Sequence, residues 1–245
     1  MGQEQVRDAL GSGAAPDAAD IMGALPAYER CGVALKTGNP VLVAPPPSRK
    51  ATPVVLAGVT LWRLTIVGFA LIGLTAVPGG GFDQLQYLSQ LASLVAAVAY
   101  LGLLLYPLAT GLARHEPVSP WLRGSTTVLL ALVAFTFLCL MNADLSSTAS
   151  LFEHLLTPLA VLVDWLLVGR DQRNARWWYP ITWLAMPLAY LAFYIWYVGD
   201  GVPLYSFLDP AAGDFAQVVA AFLAGVLAFG YVVYGIGKAR SLPRS

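Results

Sequence analysis

Two polar stripes interrupt otherwise apolar runs of this chain. Gln86, Ser89, Gln90 and Ser93 follow the spacing i, i+3, i+4, i+7, which places all four on one face of a helix. The second stripe starts with Glu153 and His154 and continues through Thr157, Pro158 and Asp164. Glu153, Thr157 and Asp164 share a face there, with His154 at its edge. A serine hydroxyl becomes a useful nucleophile only when a base takes its proton, and histidine is the usual base because its pKa lies near neutrality. Ser89 and His154 therefore have the composition of a dyad that attacks an acyl carbonyl. Gln86, Gln90 and Asn142 are candidate donors to the oxyanion formed in that attack. Thr157 and Glu153 are supporting polar groups, although Glu153 lies about 100° around the helix from His154 and is awkwardly placed to orient the imidazole. Asn142 and Asp144 are alternatives for that role. The same residues also have a plainer reading: a serine in a spanning helix commonly bonds the carbonyl one turn back or a neighbouring helix, and a boundary histidine is commonly a satisfied structural residue. Arg63 and Asp164, each inside an apolar run, read as a structural charge pair or as side chains reaching toward the membrane surface.

The elements that must position these residues follow from composition. The 245 residues are 58% hydrophobic and 11% charged, far from the roughly 25% charged residues of a soluble domain. The net charge of zero gives no argument for a nucleic-acid partner. A membrane-spanning helix needs about 20 apolar residues, and six runs meet or approach that length: 54–77, 85–110, 125–141, 151–168, 179–198 and 215–236. The expected fold is all-α, a polytopic bundle of six transmembrane helices over 53–237. It is flanked by a disordered cytoplasmic tail at 1–52, rich in Ala, Gly and Pro, and by a short C-terminal tail at 238–245. The first fifty residues have no continuous apolar core and carry Glu4, Asp8, Asp17, Asp20 and Glu29, so a cleavable signal peptide is not expected. No internal repeat of the kind found in inverted-repeat transporters is evident.

Orientation follows from the positive residues, which are retained in the cytoplasm when they lie in short loops. Arg49 and Lys50 precede the first run, Arg114 and Arg123 follow the second, Arg170, Arg173 and Arg176 follow the fourth, and Lys238, Arg240 and Arg244 end the chain. The intervening loops instead hold Asp83, Asp144, Asp200, Asp209 and Asp214. Six spans with both termini in the cytoplasm put every basic loop on one side, in the cell membrane. Ser89 and His154 then both lie within about two turns of the outer boundary.

Cofactor chemistry finds little support. Paired axial histidines for haem are missing, since the other histidine, His115, falls in a loop. A retinal-type Schiff base needs a lysine within a span, whereas Lys36, Lys50 and Lys238 sit in the tails or at a helix end. Cys31 and Cys139 make no metal-ligand motif or disulfide framework. No cofactor and no metal are expected.

Several stretches resemble a known family. They are Tyr87-Leu88-Ser89-Gln90-Leu91-Ala92-Ser93, Glu153-His154-Leu155-Leu156-Thr157-Pro158, Val163-Asp164-Trp165, the basic 170–176 loop, Met186-Pro187-Leu188-Ala189-Tyr190 and Pro203-Leu204-Tyr205-Ser206-Phe207-Leu208-Asp209. In these the chain resembles bacterial six-pass relatives of the androgen-induced-gene membrane proteins, a group that includes the androgen-dependent regulator of tissue factor pathway inhibitor. Animal members are intramembrane hydrolases of fatty acid esters of hydroxy fatty acids that use a threonine and a histidine. The resemblance implies that Ser89 takes the threonine position and His154 the histidine position, with membrane lipids as partners and a fatty acid ester as substrate. Ala92-Ser93 and Tyr205-Ser206 stand where the family shows Ser-Asn and Tyr-Pro. The expected function is thus an intramembrane hydrolase of lipid esters; the alternative is a non-catalytic transporter or scaffold whose polar stripes cement helix packing or line a path.

Overall fold

The computed structural model describes residues 33–36, 39–42, 52–77, 84–112, 114–141 and 143–240. It separates into two units, 1–49 and 50–245. In the first unit, β1 (Val33–Lys36) pairs antiparallel with β2 (Asn39–Leu42). The rest of the expected disordered tail lies outside the described residues.

The second unit is built from six helices, each long and apolar enough to cross a membrane. They are α1 (Pro53–Thr75), α2 (Leu88–Ala109), α3 (Trp121–Leu140), α4 (Thr148–Val168), α5 (Tyr179–Val198) and α6 (Phe215–Arg240). The shortest have 20 residues, which at 1.5 Å per residue matches a hydrocarbon core of about 30 Å. The chain is an integral, multi-pass membrane protein. In lipid every backbone N–H and C=O must find a partner within the chain, and a helix supplies one for each.

Two boundaries differ from the sequence expectation in ways that matter for function. Helix α3 starts at Trp121, with Pro120 just before it, so Arg123 stands in its first turn rather than in a loop. Helix α6 continues to Arg240, so Lys238 and Arg240 lie on its last turn, where basic groups complement the exposed carbonyls.

Helix α3 is central. Half of its apolar window is buried, against 17% for α1 and for α6, and it touches α2, α4, α5 and α6. One core joins α1, α2, α3 and α4 around Ile66, Ala96, Tyr100, Leu130 and Val161. A second joins α3, α4, α5 and α6 around Val128, Trp165, Trp183 and Val233. Small residues set the closest approaches: a Cβ at Gly124 would overlap the Trp183 ring, and one at Gly73 would come within 2.9 Å of Glu153 Cγ. Close packing of this kind drives helix association where lipid removes the hydrophobic incentive.

Helix α4 is not a regular α-helix. Phe152–Leu156 and Asp164–Val168 are π-helical. Pro158 has no N–H to offer the His154 carbonyl, and the turn before it widens so that the Thr157 N–H reaches the Phe152 carbonyl instead. Both π turns carry the ionisable residues of this helix, Glu153 with His154 and then Asp164. Single-turn π segments are recurrent at functional sites.

Candidate functional site

Polar side chains gather at two levels of the bundle. At the end where the α1–α2, α3–α4 and α5–α6 connections lie, Ser89 and His154 both line one largely apolar cavity of about 240 Å³. Tyr87, Thr136, Phe137, Tyr190 and Tyr205 also contribute to its wall. Ser89 comes from the first turn of α2, whose start leaves the Ser89 and Gln90 amides without intrahelical acceptors. His154 comes from the first π turn of α4, where its ring stacks on Phe137 at 3.7 Å between centroids.

The histidine is held in a defined orientation. Its Nδ1 lies 3.1 Å from the Ser150 carbonyl oxygen. A carbonyl can only accept, so for the neutral ring Nδ1 carries the hydrogen and Nε2 is left with the lone pair. The serine is engaged differently from the sequence expectation. Among the described residues no hydrogen bond joins Ser89 to His154, and the Ser89 hydroxyl instead sits within reach of the Glu153 carboxylate. Glu153 is buried and also accepts a hydrogen bond from the Gln90 amide, Nε2 to Oε1. Glu153, expected as a supporting polar group awkwardly placed to orient the imidazole, is therefore a direct neighbour of the nucleophile candidate instead.

The other expected supporting residues divide. Gln90 is committed to Glu153, and its Oε1 has no partner. Gln86 precedes the start of α2, where its backbone carbonyl accepts from the Tyr190 hydroxyl at 2.9 Å. Thr157 is fully buried and its hydroxyl, like that of Ser93, is unpartnered. Asn142 lies outside the described residues. Asp144 is exposed and accepts from the Ser146 N–H at 2.9 Å, a bond that lowers its pKa. It makes no contact with His154 among the described residues, although the Asp144 carbonyl accepts from the Ser150 hydroxyl at 2.6 Å.

A hydroxyl pair missed by sequence reasoning closes the cavity near Ser89. The Tyr190 and Tyr205 hydroxyls lie 3.3 Å apart; the single Tyr190 hydrogen goes to the Gln86 carbonyl, so Tyr205 donates to the Tyr190 oxygen while accepting from the Leu88 N–H at 2.9 Å. Burial raises the Tyr205 pKa, which keeps the phenol protonated. Tyr190 lies within the fifth expected span and Tyr205 in the loop after it; in the sequence both stood only within the stretches that carry the family resemblance, with nothing to say that they meet.

The second polar level is at the opposite, basic end, and here the expected charge pair is corrected. Asp164 does not pair with Arg63; its partner is Arg123, with Nη2 to Oδ2 at 2.8 Å and Nε to Oδ2 at 2.9 Å. Arg123 Nη2 also donates to the Asp164 carbonyl at 2.9 Å, and Tyr100 donates its hydroxyl to Oδ2 at 2.9 Å. Asp171 completes the pairing of Arg123 Nη1, and Glu116 lies 3.6 Å from the same nitrogen. Arg63 instead caps backbone, donating to the carbonyls of Leu103 at 2.8 Å and His115 at 2.6 Å. Arg123 lies in the first turn of α3, where its guanidinium reaches the Asp164 side chain and carbonyl at the second π turn of α4, whereas the Arg63 Nη1 is taken by the Leu103 and His115 carbonyls. Gly169 leaves the space, since a Cβ there would overlap the guanidinium.

No group of His, Cys, Asp and Glu suited to hold a metal ion occurs among the described residues. No family model, curated protein or solved structure matches the chain.

Proposed function

We propose that this chain is a serine-type hydrolase of lipid esters in the cell membrane, related to the androgen-induced-gene family. Its basic end would face the cytoplasm and its cavity the outer leaflet. The observation that carries the reading is the shared cavity: a helix-start serine and a histidine with a free Nε2 line one apolar space, beside a buried carboxylate.

The chemistry assigns each group a role. Ser89 Oγ attacks the ester carbonyl carbon as its proton passes to His154 Nε2, a transfer that substrate closure or one bridging water brings within reach. Glu153 positions the hydroxyl. The developing oxyanion meets the free amides of Ser89 and Gln90 at the start of α2, where the helix dipole favours negative charge. His154 then protonates the leaving alkoxide, and water releases the acyl group from Ser89 by the reverse proton path. The apolar wall accepts the hydrocarbon of a fatty acid ester.

Fluorophosphonate labelling of the purified protein tests this. Wild type should label, Ser89→Ala should not, and His154→Ala should label about 10²–10⁴-fold more slowly, the usual worth of a general base. Equal labelling of all three, or no labelling of folded wild type, rejects the reading. A second reading, a transporter, draws on the unpartnered buried atoms Gln90 Oε1, Ser93 Oγ and Thr157 Oγ1 along the α2–α4 contact; unlabelled, folded wild type would select it.

A further inference from the structure

Behind the wall of the Ser89–His154 cavity lies a second space, a groove of about 490 Å³ between α3 and α6. It shares Leu132, Phe222 and Val226 with the cavity, so the two spaces abut. Its lining residues, from Val128 to Leu140 on α3 and from Ala221 to Phe229 on α6, are all apolar. At 1.5 Å per residue the groove extends about 18 Å along α3 and about 12 Å along α6. It is therefore elongated and runs with the helices, as lipid chains run in a bilayer.

Ala221 and Gly225, both exposed, line the groove together with Phe135, Phe222 and Phe229. A Cβ at Gly225 would meet nothing within 4 Å, so the glycine is not there to let two helices approach. The room it leaves stays open to the hydrocarbon region.

We propose that the α3–α6 groove binds the acyl chain of the lipid ester whose carbonyl enters the Ser89–His154 cavity, so that substrate arrives laterally from the bilayer and long chains are preferred. Apolar walls without a hydrogen-bonding side chain suit hydrocarbon alone, and contact with the cavity that holds Ser89 and His154 suits a molecule with an ester at the end of that hydrocarbon. The ester part rests on the hydrolase reading above; the chain-binding part is tested without it.

The probe is the methyl ester of palmitic acid with a diazirine near mid-chain, photolysed with the full-length protein in nanodiscs and mapped by peptide mass spectrometry. Labels should concentrate on α3 and α6. Gly225→Trp should lower that labelling about tenfold, the worth of roughly two methylenes of lost burial. Gly58→Trp, which adds the same ring at an open glycine of α1, should leave it unchanged. Ala221→Phe serves as a second groove-filling variant, and melting in detergent verifies that each variant folds. Labelling spread equally over α1, as expected for an ordinary lipid shell, or unchanged by either groove variant, overturns the proposal. Turnover is read separately. Gly225→Trp should cut kcat/KM for the palmitoyl ester about tenfold and spare the butanoyl ester; equal rates on both esters overturn the groove's role. Loss of all hydrolysis with groove labelling intact overturns the hydrolase and leaves the groove standing.

Discussion

Arg123 gathers four acceptor groups at the basic end: both the side chain and the carbonyl of Asp164, with Asp171 and Glu116. Removing one partner of a buried charge cluster strands the others, at about 3–5 kcal/mol. Arg123→Ala is therefore expected to lower the melting temperature in detergent sharply, whereas Asp144→Ala, at an exposed site, should barely move it. Asp171 adds a pH dependence. Burial raises its carboxyl from 3.8 to about 6, against the opposing pull of Arg123. The folded chain thus holds this proton more tightly than the unfolded one, and the stabilisation is complete below pH 3.8 and lost as pH rises to about 6. Relative to Asp171→Asn, the wild-type melting temperature should fall over that interval; parallel curves would refute the linkage. Under the proposed hydrolase reading, Glu153→Gln retains a side chain able to hold Ser89 and should slow fluorophosphonate labelling less than His154→Ala does. Ser89 and His154 were legible in the sequence because spanning helices carry few polar groups. Arg123 was not, because a residue next to a proline-bounded loop reads as a topological signal until the helix start is known.

The element with most bearing on the site is α4. Its first π turn, forced by Pro158, turns Glu153 toward Ser89 and His154 toward the cavity. Pro158→Ala restores the missing N–H and should let the segment relax to a regular α-helix. We expect a helix content by circular dichroism no lower than wild type, with loss of most Ser89 labelling. Unchanged labelling would show that the π turn does not set the site. Helix α1 braces the same turn at Gly73, where an added Cβ comes within 2.9 Å of Glu153 Cγ. Gly73→Val should cost about 1–3 kcal/mol as an overpacked contact, seen as a lower melting temperature. The sequence pattern located α4 and its polar face. It did not reveal the widened turns, because a periodicity argument presumes one period throughout.

At the scale of the molecule, the bundle has a polar, basic end held by ion pairs and an opposite end that opens into apolar space. Charge asymmetry predicts that the basic end is cytoplasmic. In a background with Cys31 and Cys139 replaced by Ala, Ser146→Cys should react with an impermeant maleimide in intact cells, and Arg173→Cys only after permeabilisation. The reverse pattern would invert the proposed topology. The amino-acid sequence by itself determined the class of protein and the number of spans, since hydrophobic length against bilayer thickness is a local property that each segment carries alone. It also marked Ser89, His154, Glu153 and Asp164 as exceptional, because polar groups in lipid are costly wherever the chain goes. Tertiary structure alone decided the pairings: Glu153 with Ser89 and Gln90, Arg123 rather than Arg63 with Asp164, Tyr190 with Tyr205, and the groove between α3 and α6. Each depends on which faces of separate helices meet and at what depth. Helix phase, set here by a proline-widened turn and by where α3 begins, is a property of the assembled bundle.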